Sequence, residues 1–389
     1  MAAAIRKEKQ SCGNCLTLHA GDFVTGSPVS TIYEGTPVYE IANLMGFDAS
    51  TIGNHEFDYG WQKIARFELA AKFPLLLSNM ADGDGRSVAE RGAQIFRVGP
   101  LRIGVIGGLT MDMPLLTTPI TLGPLKMQPL VERLRSEIAE LRDRTDLIVL
   151  LLHITADEED MLMRELPEAP VFVTGHVHRG LEVPKVRDGR VLVRVRAFGF
   201  ELGRLDLEVD TEAKNVKSFT WKRIPVGVND QKKPDPKVWR AVAKWESKVT
   251  KLVDVPIGES KRVYSRPELR VLFGQALRDE MHGDFAFVND GAMRDELPKG
   301  RVSIRDIYNI MPFNNRVLAG TFKGESLPAV VREGYTIEPE RPYRLIIQDF
   351  TKWHQKEQLG LEQNLDFPEE GPLFRDLLID WVKKKKIIE

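Results

Sequence analysis

The stretch Ala49-Ser50-Thr51-Ile52-Gly53-Asn54-His55-Glu56-Phe57-Asp58-Tyr59-Gly60 decides how this chain is read. A short strand-like run ends directly in side chains of the kind that hold a metal ion or stabilise charge. Three other runs end in the same way. Leu16-Thr17-Leu18 leads to Gly21-Asp22, Leu147 to Leu152 leads to His153, and Val171 to Val173 leads to Gly175-His176-Val177-His178. In an open α/β sheet, ligands gather outside the carboxyl ends of the strands. Four strands delivering Asp, Asn, His and His-x-His to one edge therefore predict a metal centre just past the strand ends. A lone histidine after an apolar strand is ordinarily only hydrogen-bonded, so His153 takes its meaning from the other motifs. His19 reads as a strand residue and not a ligand. His282 and His354 have no partners in sequence and read as surface residues.

Outward from these motifs, strand-like and helix-like segments alternate. Pro37 suits the first position of a helix, with Val38, Ile41, Ala42 and Met45 as its apolar face. Strands are predicted at Leu75 to Leu77, Arg102 to Ile106 and Leu147 to Leu152, and a helix at Pro129 to Arg142. Val191 to Arg196 and Arg204 to Val209 alternate apolar and charged residues, as half-exposed strands do. Alternation of this kind argues for a layered α/β domain. Val228 to Pro236, polar with two prolines, reads as a boundary, followed by a helix over Val238 to Val249. The expected domains are residues 1–227, a linker and connecting helix at 228–252, and a smaller α/β domain at 253–389. The smaller domain opens with a helix near Pro267 to Met281 and the strand Phe285 to Val288.

Composition narrows the function. Lys plus Arg number 55 and Asp plus Glu 56, so bulk charge gives no reason to expect a nucleic-acid polymer as partner. No run reaches the ~18 apolar residues of a membrane span. The charged run Arg6 to Lys9 is not followed by the apolar stretch of a signal peptide. The two cysteines, Cys12 and Cys15, lack the context that gives a Cys-x-x-Cys pair a redox or zinc role. The Lys383 to Lys386 run after an amphipathic helix complements the helix dipole.

At these residues the chain resembles the 5′-nucleotidase family of calcineurin-like metallophosphoesterases. The family's Gly-Asn-His-Glu-Phe-Asp-x-Gly appears as Gly53 to Gly60, and its Gly-His-x-His as Gly175 to His178. Its second domain is visible too. Asn-Gly-Gly-Gly-Ile-Arg resembles Asn289-Asp290-Gly291-Ala292-Met293-Arg294, and Pro-Phe-Gly-Asn resembles Pro312-Phe313-Asn314-Asn315. The resemblance implies a layered metallophosphoesterase sandwich followed by a smaller substrate-binding domain. It implies two divalent ions of the Mn, Zn, Fe or Co type, suited to mixed imidazole, carboxylate and amide ligands. Asp22 bridges them, Asn54, His153 and His176 complete one site, and His178 belongs to the other. His55 is implied as the residue that meets the phosphate and leaving group, with Asp58 orienting and charging it. Phe313 and Phe350 are implied as rings that sandwich a base. Asn289, Arg294 and Arg266 are implied as further substrate contacts.

The chain departs from the family in three places. No Asp-x-His occurs before Asp22, where family members have a first strand ending in that pair. The expectation is a truncated reading frame with the first strand missing and one metal site left incomplete. Without its beginning, the chain reads as cytoplasmic as written, or periplasmic or extracellular if a signal has been lost. The stretch between Gly324 and Tyr343 is short, so some family strands are expected to be missing. After Phe350 the chain has Thr351-Lys352-Trp353-His354-Gln355-Lys356 where the family has Gly-Gly-Asp-Gly, which leaves the ribose contact unsupported. The expected activity is metal-dependent hydrolysis of a nucleotide or related small phosphoester. Alternatives are a cyclic-nucleotide phosphodiesterase or nucleotide-sugar hydrolase on the same fold, and an inactive remnant that binds a ligand or partner.

Overall fold

The computed structural model describes residues 1–227 and 234–389. Most of the expected boundary at Val228 to Pro236, residues 228–233, lies outside the described residues. The chain divides into two compact units, one of Met1–Val24 and Glu34–Trp245, the other of Thr25–Tyr33 and Glu246–Glu389. No helix among the described residues is long and apolar enough to cross a membrane.

The first unit is a layered α/β sandwich. Its larger sheet has six strands in the spatial order Lys185–Arg187, Arg190–Val193, Val171–His176, Leu147–Ile154, Leu101–Leu109 and Ala93–Val98. The four inner strands are parallel and the two edge strands antiparallel. A smaller parallel sheet joins Leu18–His19, Ala49–Thr51 and Leu75–Leu76. The strand Leu147–Ile154 is buried along its whole length, as a central parallel strand must be when both faces are covered. Its side chains alternate between two cores. Val149 and Leu151 face a core shared with Ala49, Leu76 and Val105. Leu150 and Leu152 face a core shared with the helices Leu130–Leu141 and Ala156–Glu165, through Leu134, Ile138 and Leu162.

Several elements differ from the sequence expectation. The helix expected from Pro129 begins at Leu130, with Pro129 as its cap. The helix at Pro37 is Thr36–Ala42, and it buries Pro37, Tyr39 and Ala42. Tyr39 displaces Val38 and Ile41 from the face because its hydroxyl finds a buried carboxylate, Glu56. The strand expected over Val191 to Arg196 stops at Val193. Glu201–Asp210 pairs with Asn215–Pro225 in a long antiparallel hairpin, whose second strand the sequence reading did not foresee.

The second unit holds a four-stranded sheet in the order Phe285–Ala286, Pro342–Gln348, Arg316–Lys323 and Glu369–Leu373. A second, three-stranded sheet joins Gly300–Ser303, Pro256–Ser260 and Ile387–Ile388. The helices Arg266–Met281 and Phe374–Lys385 form the core with Phe273, Phe374, Leu378 and Ile346. The terminal lysines Lys383, Lys384 and Lys385 pair with Asp380, Glu280 and Asp279.

Candidate active site

Strand register brings the two histidines together. His153 lies opposite Gly175, and Ile154 opposite His176, on adjacent parallel strands. Both histidines are inside their strands, His153 next to last and His176 last, and not beyond them as the sequence reading had it. In the smaller sheet His19 pairs with Ser50, so the segments carrying Asp22 and Asn54 leave neighbouring strands side by side.

Four polar atoms converge there. His153 Nε2 lies 3.0 Å from Asp22 Oδ2, 3.1 Å from Asn54 Oδ1 and 3.2 Å from His176 Nδ1. His176 Nδ1 is 3.1 Å from the same Asn54 Oδ1. The opposite nitrogen, His153 Nδ1, is 2.7 Å from the Ala20 carbonyl. A carbonyl only accepts, so Nδ1 carries the proton, and in the neutral ring Nε2 presents a lone pair. Carboxylate, amide oxygen and two imidazole nitrogens facing one another are what a divalent cation satisfies together. The bond to Ala20 is the outer contact that fixes a ligating histidine's tautomer. For the protein alone the crowding shows as competition for protons. Burial disfavours charge on His153, but the Asp22 carboxylate outweighs it and raises the group. His176 is held down at about 4, by burial and then by His153. Burial would raise the Asp22 carboxyl, yet His153 and His55 hold it well below the usual range.

The backbone is strained to make this arrangement. Asp22 has φ 60° and His176 φ 72°, left-handed values that side-chain-bearing residues rarely adopt and that cluster at functional sites. Two glycines give the backbones room. A Cβ on Gly53 would lie 2.2 Å from Asp22 Oδ1, and one on Gly175 would lie 2.2 Å from the Ala20 carbonyl oxygen.

His55 stands beside the cluster and outside it. Its backbone N–H donates to Asp22 Oδ1 at 3.0 Å, and its Nδ1 is 2.8 Å from Asp58 Oδ2 across the single turn His55–Phe57. His178 is exposed, and its ring packs against Phe198 with centroids 5.1 Å apart. Among the described residues the close group of metal-type donors is Asp22, His153 and His176, so His178 is not part of it. His19 stacks on Phe23 at 3.6 Å, and burial pushes it down to about 3.

Two carboxylates without an expected role support the site. Glu56 is fully buried and accepts from the N–H groups of Gly53 (2.6 Å), Asp22 (3.0 Å) and Phe23 (2.7 Å), tying the Asn54 segment to the Asp22 segment. Burial, and then Asp22, raise its carboxyl. Its place inside the quoted motif was a signal. Glu159 is also fully buried. It accepts from Thr174 Oγ1 at 2.6 Å and pairs with Arg194, whose Nε donates to the Arg179 carbonyl at 2.7 Å. The pair thus grips the Gly175–His178 segment before and after, and nothing local in sequence announces it.

In the second unit, three segments meet at one edge of the four-stranded sheet. Phe285–Ala286 and Pro342–Gln348 run parallel towards that edge, and Arg316–Lys323 starts from it. Gln348 Nε2 donates to Asn289 Oδ1, and Asn315 Nδ2 donates to Gln348 Oε1 at 3.0 Å. The Arg294 guanidinium lies 5.7 Å from the centroid of the Phe313 ring. Phe350 is half-buried against His354, with ring centroids 4.5 Å apart. His354 is itself buried and so is not the surface residue expected; packing under Phe350 explains the difference. Arg266 is exposed at the start of its helix. Cys12 and Cys15 are free thiols.

Comparison with known proteins extends this geometry. Residues 3–180 match the family model of calcineurin-like phosphoesterases, and residues 257–366 match the model of the 5′-nucleotidase C-terminal domain. The chain is 26% identical over 362 residues to endonuclease YhcR of Bacillus subtilis, covering 85% of this chain and 29% of that protein. It is 24% identical over 369 residues to a 5′-nucleotidase of Vibrio cholerae, covering 81% of this chain and 66% of that protein. The chain therefore spans less than two thirds of either relative's length. Among solved structures, a 5′-nucleotidase precursor from Thermus thermophilus superposes with a TM-score of 0.85 at 21% identity, covering 100% of this chain and 90% of that one.

Proposed function

This chain belongs to the 5′-nucleotidase family, a calcineurin-like phosphoesterase domain followed by a 5′-nucleotidase C-terminal domain, and on that premise we propose that it hydrolyses a nucleotide or related small phosphoester. The observation that carries this reading is the convergence of Asp22, Asn54 and His176 on His153 Nε2, each within hydrogen-bond distance of it, with His55 and Asp58 alongside. Those four residues would hold a divalent ion of the Mn, Zn, Fe or Co type, with His178 near enough in sequence to join a second. A bound ion would supply charge neutralisation at phosphorus and a more acidic water.

The chain's own residues do the rest. Water oxygen bonds to phosphorus as the ester P–O bond breaks in line. His55 acts doubly protonated, Nδ1 donating to Asp58 and Nε2 donating to the oxygen that gains charge. Glu56 and Glu159 keep the ligand segments in their strained conformations. Asn289, Arg294, Phe313, Phe350 and Arg266 are the proposed contacts for the organic part of the substrate. Arginine suits phosphate, and an aromatic face suits any base.

The test is direct. The purified chain is loaded with Mn²⁺, its metal content measured, and phosphate release followed from adenosine 5′-monophosphate and from 4-nitrophenyl phosphate. Release that disappears with chelator is expected. Metal retained with no release from either ester would move the chain to the second reading, a protein that binds its ligand without hydrolysing it.

A further inference from the structure

Arg375 is a buried cation in the second unit, 4% exposed, and it pairs with no carboxylate among the described residues. Its neighbours on the helix Phe374–Lys385, namely Phe374, Leu377 and Leu378, are apolar core residues. The guanidinium is turned instead to one loop. Nη1 donates to the Phe313 carbonyl at 3.0 Å, with the Pro312 and Met311 carbonyls at 3.3 and 3.4 Å. Nη2 donates to Asn314 Oδ1 at 2.9 Å. The flat face of the group lies over the Tyr308 ring, with Cζ 4.2 Å from the centroid. Nε is buried and finds no hydrogen-bond partner among the described residues.

The loop has a physical need for such a partner. Met311 to Phe313 follow the end of the helix Ile304–Ile310, where the last carbonyls have no partner inside the helix. Pro312 has no N–H with which to join a strand. Three successive carbonyls therefore look outside the loop, and positive charge suits a helix C-terminus. Two further bonds tie the same segment. Thr31 Oγ1, from the same unit, donates to the Pro312 carbonyl at 3.3 Å, and Phe374 N–H donates to the Asn315 carbonyl at 2.8 Å. Burying a cation without a carboxylate is costly, and an apolar side chain would fill the core without that cost. The offset comes from the loop's oxygens and the Tyr308 ring. The burial of this charge thus serves the loop that carries Phe313 and not the packing of the helix.

We propose that Arg375 is a positioning residue for substrate binding. Through the carbonyls of Met311 to Phe313 and the side chain of Asn314, it holds the Phe313 ring at the sheet edge, where a planar organic group binds. This rests on the reading of Phe313 as a substrate contact. Arg375 itself touches no substrate and acts through the loop.

The full chain is tested with Arg375→Met, which removes charge and donors, and with Arg375→Lys, which keeps both. Arg375→Met is also made in a Phe313→Ala background. The readouts are metal content and the kcat and KM for adenosine 5′-monophosphate and for glycerol 2-phosphate, which has no ring. Arg375→Met should raise KM for adenosine 5′-monophosphate about threefold or more, short of the ~tenfold that a lost stacking ring costs, because the ring is displaced and not removed. Metal content, kcat and the KM for glycerol 2-phosphate should stay within about twofold, as when binding alone is lost. Added to Phe313→Ala, Arg375→Met should change KM by less than about twofold, since residues that act as one unit do not add. Arg375→Lys should recover most of the parent KM. An unchanged KM in Arg375→Met, an equal rise for both esters, or a rise that multiplies with that of Phe313→Ala overturns the proposal. If Arg375→Met does not fold, Asn314→Ala replaces it, with a rise of about threefold for the one bond lost and the same overturning outcomes. If the parent hydrolyses neither ester, the phosphoesterase reading fails, and adenosine affinity by calorimetry carries the same cycle. Undetectable adenosine binding in the parent then overturns the proposal.

Discussion

The metal-type cluster of the first unit and the aromatic edge of the second are held by different means. Asp22, His153 and His176 are each fixed at several points, by strand register, by the Ala20 carbonyl and by the buried carboxylates Glu56 and Glu159. Phe313 and Arg294 stand on loops and Phe350 in the short helix Asp349–Trp353, all half-buried, and Arg266 is exposed. A centre that gathers lone pairs needs its atoms placed to a fraction of an ångström, so rigid strands carry it. A stacking surface tolerates displacement, because any base offers a π-face. The difference predicts that changes at the metal-type cluster act on metal and turnover, and changes at the aromatic edge on substrate affinity.

The largest effect should come from His176→Ala. Loss of one donor from the cluster should bring metal content to background and take activity with it, read by elemental analysis beside an aryl phosphate assay. His55→Ala comes next. It should cut turnover ~10²–10³-fold, as loss of a positioned donor does, with metal content retained. If His55→Ala strips metal as badly as His176→Ala, the division of roles inside the first unit is wrong. Glu159→Gln should weaken metal binding ~10–100-fold, the range for a partner that orients a ligand from outside. Chelator competition measures it, and an unchanged affinity would mean that strand register alone positions His176.

The smaller effects belong to the second unit. Phe313→Ala should raise KM for adenosine 5′-monophosphate about tenfold with little change in kcat. A loss of metal in this variant would break the contrast between the units. Arg266→Ala should do least, within about threefold, since an exposed charge in water contributes ~1 kcal/mol or less. A larger loss would show that Arg266 at the helix start closes on the substrate.

Legibility follows the same division. Asp22, Asn54, His153 and His176 could be read from sequence because each sits at the end of a short apolar run, and a run ending in a metal-type side chain is a local pattern. Asp58 was legible because it needs only one turn to reach His55. Tyr39 was not, since its burial depends on Glu56, and neither was His354, whose burial depends on packing under Phe350. The strand Asn215–Pro225 also escaped: Phe219 and Trp221 alternate with polar residues, but the alternation is short and Val216 falls out of step with it, where the pairing with Glu201–Asp210 shifts register.

The sequence by itself determined the metal-type residues, their motif order and the two-part layout of strands and helices, all of which are written in residues close together in the chain. Tertiary structure alone decided which donors meet, that Asp22 and His176 take left-handed backbone, and that Glu56 and Glu159 bind the site together. Glu56 reaches the Asp22 N–H across 34 residues and Arg194 reaches Glu159 across 35. A buried carboxylate needs partners that folding brings to it, so the motif around Glu56 marks the residue but not its reach to Asp22, and nothing near Glu159 in sequence marks its role.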